Sequence, residues 1–234
     1  MRNPLERTRR LLFVLAAGLG LSILSWISYA AVTWYRYGRA DDAAGQDSLL
    51  DRFMPAYEVR ERHEIRVRAP AKTTLTVARE LDLQRSRLVR AIFHIRTLPS
   101  LLRGERKQER PRSFLAETLS IGWSMLAEVP ERQIVMGAVT QPWEPVVRFR
   151  PLPANEFAAF NEPGYAQIAW TLEAEPIGAD ESLFRTETRV RTTDSESRER
   201  FRRYWSIFSP GILLIRYEAL RLVKGQAERQ GLGG

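Results

Sequence analysis

Glu61 and His63 have the types and spacing for acid–base chemistry, and they lie in the stretch "EVRERHEIRVRAP" at residues 58–70. The run alternates as a β-strand does, so Val59, Glu61, His63, Ile65 and Val67 share one face and Arg60, Arg62, Glu64, Arg66 and Arg68 the other. The arginine-rich face reads as solvent. The opposite face reads as core, yet it carries a carboxylate and one of only two histidines in the chain. Two residues apart on one strand face, the pair has Cα atoms roughly 7 Å apart, close enough to communicate directly or through a water. Three uses fit. The pair can be structural, satisfied by each other or by Thr186 and Thr188 inside a wet core. It can be a polar anchor that holds a hydroxyl or carbonyl of a greasy ligand. It can be catalytic, with His63 as general base and Glu61 orienting it. An unpaired buried carboxylate costs several kcal/mol, and each of the three uses supplies a partner.

The rest of the chain narrows the chemistry. With no cysteine there is no disulfide, thiolate nucleophile or iron–sulfur site, and two histidines would need carboxylate help to hold zinc. No serine elbow, phosphate-binding glycine loop or carboxylate cluster at metal-ligand spacing is present, so neither metal nor cofactor is expected. "GLGLS" falls inside an apolar run and is not a nucleotide loop. The formal charge of +8 comes almost wholly from arginine, interleaved with Asp and Glu along the chain. That distribution reads as a solvated basic surface and not as a nucleic-acid footprint. At 234 residues with 44% hydrophobic content, the chain can build one sizeable core plus an appendage.

The appendage comes first. Between Arg10 and Arg36 runs "LLFVLAAGLGLSILSWISYAAVTWY", 25 residues without a charge. As a helix it is roughly 37 Å long, enough to cross a hydrocarbon core of about 30 Å. Trp26, Tyr29, Trp34 and Tyr35 gather at its C-terminal end, where amphipathic rings favour the headgroup region. A cleavable signal peptide is the competing reading, through the small-x-small run Ser28-Tyr29-Ala30, but the apolar run continues past Ala30. The chain therefore divides into a basic tail at 1–10, a transmembrane helix at 11–35, a linker at 36–50, a folded domain at 51–228 and a short tail at 229–234. Arg2, Arg7, Arg9 and Arg10 precede the span and only Arg36 and Arg39 follow it closely, which leans towards an extracytoplasmic domain.

Within the domain the first strand ends at Pro70, and two short helices follow, "AKTTLTVARELDL" and "SRLVRAIFHIRTL", the second carrying His94 on its polar side. Residues 98–113 read as a charged loop. From Trp123 the pattern is strand-rich, with "WSMLAEV", "RQIVMGAVTQ", "VVRFRPL", "YAQIAWTLEAEP" and "ESLFRTETRVRTTD" separated by turn chemistry such as "NEPG" and "PIGAD". Glu128 is a further candidate polar contact. Glu187, Arg189 and Arg191, opposite Thr186 and Thr188, read as solvated cross-strand ion pairs. Asp194 caps a long amphipathic helix with Phe201, Trp205 and Phe208 on one face, interrupted by Pro210 and Gly211, where a kink is expected.

One strand, two short helices, a run of antiparallel strands and a long terminal helix resembles the START-like, or SRPBCC, superfamily of polyketide cyclases and lipid-transfer domains. The residues that carry the likeness to a bacterial branch of it are "YEVRERHEIRVRAPAKTT" at 57–74, "LAEVPERQIVMGAVTQPWEP" at 126–145, "NEPGYAQIAWTL" at 161–172 and "FRTETRVRTTDSESRERFRRYW" with "SPGILLIR" at 184–216. The resemblance implies an α+β helix-grip fold, a curved sheet wrapped around the C-terminal helix with an apolar cavity between them. Strand faces carrying Ile168, Trp170, Phe184, Thr186 and Thr188, and a helix carrying Phe201, Trp205 and Phe208, agree with such a cavity, and Glu61 and His63 complete the candidate site. The function expected is a membrane-anchored domain that binds a hydrophobic small molecule or lipid. The alternatives are a cyclase- or dehydratase-like enzyme using His63, and a non-catalytic interaction module of the envelope.

Overall fold

In a computed structural model the chain is described over residues 4–38, 47–91 and 113–231. Helix α1, Pro4–Arg36, is followed after the turn at Tyr37 and Gly38 by a one-turn helix, α2, Ser48–Asp51. Strand β1, Val59–Val67, leads to helix α3, Ala71–Glu80, then a 3-10 turn at Leu83–Arg85 and a helical turn at 87–91. Helix α4, Phe114–Ser120, precedes β2, Ser124–Val129, β3, Gln133–Thr140, and β4, Phe149–Arg150. A second one-turn helix, α5, Ala154–Phe157, comes before β5, Ala166–Pro176, β6, Ser182–Thr192, and the long helix α6, Ser195–Gly231. His94 and most of the charged stretch at 98–113 lie outside the described residues.

The strands form one antiparallel sheet in the order β1-β6-β5-β3-β2, with β4 added beside β3. The first strand of the chain therefore pairs with the last, and α6 turns back across the sheet to reach β1 again. This is the helix-grip arrangement. Register fixes the faces: Glu61 lies opposite Thr188, His63 opposite Thr186 and Ile65 opposite Phe184, while Met136 pairs with Trp170 and Ile134 with Leu172. Side chains directly opposite share a face, so all of these point to the side covered by α3 and α6. The main core gathers there, from Val67, Leu75, Ile134, Trp170, Phe184, Leu220 and Val223.

The other face is covered as well. Leu50 of α2, Met54 and Phe157 of α5 pack on Val135, Val139 and Ala169, which makes β3 buried along its whole length. Gly137 is where α5 comes closest: a Cβ there would sit 2.8 Å from the Phe157 ring and 2.5 Å from Leu126. Asp47 starts the covering segment, accepting from the backbone N–H groups of Leu49 and Leu50 and from Gln133 Nε2 at 2.7 Å. Alternation in β1 points the arginines away from the main core, but it does not show the segment at 47–57 that closes over them. The expected solvent face is thus divided: its first half, at Arg60 and Arg62, is a second interior, while Glu64, Arg66 and Arg68 are exposed as expected.

Helix α6 is continuous through Pro210, where the sequence predicts an interruption. The imide removes one intrahelical bond, and packing on both sides holds the helix together, Phe201 and Trp205 before it and Leu220, Val223 and Ala227 after. Asp194 is the cap expected from the sequence: its carboxylate accepts from the backbone N–H and the hydroxyl of Ser197, and from the N–H of Gly164. Those hydrogen bonds, Ser197 N–H first, hold the Asp194 carboxyl well below the usual carboxylate range.

In α1 the 21 residues Ala16–Arg36 are long and apolar enough to cross a membrane, and none of them is buried. Its end is docked, not loosely linked. Arg202 of α6 donates from Nε and Nη2 to the Trp34 carbonyl at 3.0 and 2.8 Å and stacks over the Trp34 ring, while Tyr37 packs on Phe201. The expected linker at 36–50 thus begins and ends in ordered contacts, at Tyr37 and at Asp47.

Candidate functional site

Between the sheet and α6 lies a cavity of about 160 Å³. Among the described residues it is lined by Leu81, Leu83, Phe114, Trp170, Leu172, Phe184, Ile215, Leu220 and Val223, with Ala78 and Ala219 filling in. Three polar side chains join this apolar wall: Thr186 and Thr188 from β6, and Arg216 from α6. The volume is close to the ~150 Å³ engineered cavity that holds a benzene molecule, so it suits a ring or a short alkyl body and not a whole two-chain lipid.

Of the residues singled out from sequence, Trp170, Phe184, Thr186 and Thr188 border this space. Ile168, Phe201 and Trp205 do not. They pack with Val59, Ala166 and Val190 into a separate closed cluster, in which the Phe201 and Trp205 rings stack at 5.9 Å. Phe208 is 49% exposed and touches Tyr204 on the outside of the helix. The buried stripe of this half of α6 runs in steps of four, Ser197, Phe201, Trp205 and Ser209, so the inward place that the i+7 count gave to Phe208 belongs to Ser209. Glu128 forms an ion pair with Arg79, away from the cavity.

Glu61 and His63 sit on β1 beside the cavity, in register with the two threonines that line it. His63 Nε2 lies 3.6 Å from Glu61 Oε2, too long for a hydrogen bond, and that nitrogen is buried with no hydrogen-bond partner among the described residues. The imidazole packs edge-on against Tyr217 at 4.9 Å. Neither Glu61 nor His63 is part of the described lining. A general base must come within hydrogen-bond reach of the proton it takes, and here the free nitrogen faces Glu61.

Arg216 is the group that sequence reading left out, where it was quoted only within "SPGILLIR". It donates one long hydrogen bond, from Nη1 to the Glu61 carbonyl at 3.4 Å. Burial pulls its pKa down to about 10 against a smaller opposing pull from Glu61, so it stays cationic at neutral pH. The available signal was position: 201, 205, 209, 216, 220 and 223 trace one inward stripe, and an arginine on it is a part-buried cation among core residues.

The far side of β6 has the opposite character. Glu187 receives Arg60 Nε at 2.9 Å, Arg60 Nη2 at 3.1 Å, Arg62 Nη1 at 3.4 Å and Arg189 Nε at 2.7 Å. Arg189 also donates to Asp51 and to the Met54 carbonyl and stacks on Tyr57. Glu187 and Arg189 are each 1% exposed, so this is a buried ionic network and not the solvated pairing expected. Arg191 fares similarly, bonded to Gln167 and the Phe160 carbonyl.

No family model matches the chain, and no curated protein does. Among solved structures, it is similar to norcoclaurine synthase from Thalictrum flavum at 15% identity over 69% of this chain and 90% of that one, with a TM-score of 0.32. A hypothetical protein from Helicobacter pylori is similar at 7% identity over 80% and 99%, with a TM-score of 0.37. The aromatase/cyclase Zhui from a Streptomyces species is similar at 14% identity over 74% and 94%, with a TM-score of 0.25.

Proposed function

We propose that this protein is a membrane-anchored binding domain that holds a small hydrophobic molecule between its sheet and α6. The cavity carries this reading: a concave apolar wall with a few converging polar groups is the ordinary composition of a small-molecule site. Its volume narrows the ligand to a single ring or a short chain, or to one acyl tail entered part-way.

Membrane attachment draws support from two features that meet on α6. Helix α1 packs against it through Trp34 and Tyr37. The outward side of the same helix exposes Ile207, Phe208, Leu214 and Tyr217, an apolar band preceded along the helix by Arg200 and Arg203 and followed by Arg221. That is the composition of a helix face lying at a bilayer surface. A domain held there would take its ligand from the membrane or its boundary layer.

The enzyme alternative draws its support from the proximity of Glu61 and His63 alone. With His63 Nε2 turned to Glu61 and outside the described lining, binding without chemistry fits the geometry better. Native mass spectrometry of the full chain, released from lipid nanodiscs and followed by organic extraction, tests the proposal. A discrete bound mass that exchanges with added small apolar compounds is the expected result. A reproducibly empty protein that captures none of them sinks it.

A further inference from the structure

Resting on the binding role just proposed, we infer that the cavity selects an anionic ligand, a small carboxylate with an aromatic or short alkyl body, and that Arg216 is its counter-ion. A guanidinium carries five N–H donors and cannot shed its charge at neutral pH. Arg216 spends one of them, at 3.4 Å, on the Glu61 carbonyl, and among the described residues it has no carboxylate within ion-pairing distance. The Glu61 carboxylate sits instead beside His63 Nε2 at 3.6 Å.

Elsewhere in this protein buried arginines are fully engaged. Arg189 has three acceptors and a ring beneath it, and Arg185 is shared by Glu64, Glu173 and Glu175. The fold can therefore satisfy a buried arginine, and among the described residues Arg216, which lines the cavity, is left under-bonded. Burying an unpaired charge is costly unless something in the space answers it. A carboxylate matches a guanidinium edge with two parallel hydrogen bonds, and Thr186 and Thr188 put two hydroxyls in the same lining. The remaining wall is apolar and about the size of a ring. Head and body are thus both specified.

The test uses the full chain in zwitterionic nanodiscs, with phenylacetate and its neutral counterpart phenethyl alcohol as probes, followed by calorimetry and saturation-transfer NMR. Phenylacetate is expected to bind at least about ten-fold more tightly than the alcohol, the scale of one charge-assisted contact. In Arg216→Gln that preference disappears, and Arg216→Lys restores part of it. Equal binding of acid and alcohol to the wild type overturns the inference, needs no variant to fold, and leaves the cavity role intact. Binding of neither probe removes the cavity role along with it. Tighter binding of phenyl phosphate than of phenylacetate overturns the carboxylate assignment.

Discussion

Strand β6 turns alternate residues to two interiors that treat charge in opposite ways. On one side Glu187 and Arg189 sit in a closed network, Glu187 held by three arginines and Arg189 by two carboxylates and the Met54 carbonyl. On the other, one residue away in each direction, Thr186 and Thr188 face a cavity whose cation has, among the described residues, a single long hydrogen bond and whose neighbouring histidine nitrogen has none. The first arrangement is finished without a ligand. Unmet hydrogen bonding on the second side is the ground for proposing it as the functional one, because a fold that satisfies buried charge a few ångströms away has no general difficulty in doing so.

Breaking the closed side should have the largest effect. Glu187→Ala strands Arg60 and Arg189 without their shared carboxylate, and removing one partner of a buried ion pair costs about 3–5 kcal/mol. For a chain of this size that is a fall in Tm of roughly 6–20 °C. A thermal melt showing a fall under about 2 °C would mean that water reaches the network and that the contrast between the faces is false.

Asp194 gives the next effect, at the junction where sheet hands over to helix. Its replacement by Ala removes the cap and the tie to Gly164, at about 1 kcal/mol. Folding lowers the Asp194 pKa, so its contribution is present above the ordinary carboxylate range and is lost as pH falls below about 4. Stability of wild type and Asp194→Ala should accordingly converge as denaturant melts are run at progressively lower pH. A gap that stays constant from neutral to acid pH would place the effect in packing and not in the charged cap.

The element order, the strand faces and the long helix were legible in the sequence because alternation and 3.6-residue periodicity are local signals. Trp170, Phe184, Thr186 and Thr188 followed from that alternation. What was not legible depends on a second segment arriving. Arg60 and Arg62 of β1 look solvent-facing until residues 47–57 fold over them, and the short helices α2, α4 and α5 are too brief to show a period. Phe208 and Ser209 are adjacent, and which of them points inward depends on how α6 tracks the sheet, which no count along the helix settles. Arg216 was missed because a charge in an amphipathic helix reads by default as its outer face.

Filling the open side gently should have a small effect on stability and a larger one on binding. Thr186→Val keeps shape while removing a hydroxyl from the lining, and is expected to change stability by no more than about 1.5 kcal/mol, the scale of one net hydrogen bond. Phenylacetate binding should weaken in the same variant, measured in nanodiscs as for Arg216. A loss of several kcal/mol in stability would show that Thr186 holds the core together by a bond of its own and would return that face to a structural role.

The smallest effect on stability is expected outside both interiors, on the apolar band of α6. Phe208 is half exposed, so its replacement should move stability by no more than about 0.5 kcal/mol. Because the chain has no cysteine, Phe208→Cys gives a single site for a nitroxide label, and a second variant, Arg200→Cys, supplies the reference on the charged flank. In nanodiscs a label at position 208 should be relaxed more by oxygen, which concentrates in the bilayer, than by a water-soluble nickel chelate, and a label at position 200 the reverse. Equal chelate access at both positions would detach this helix face from the membrane. The band would then need a protein to cover it, and the interaction-module alternative would gain what membrane attachment lost.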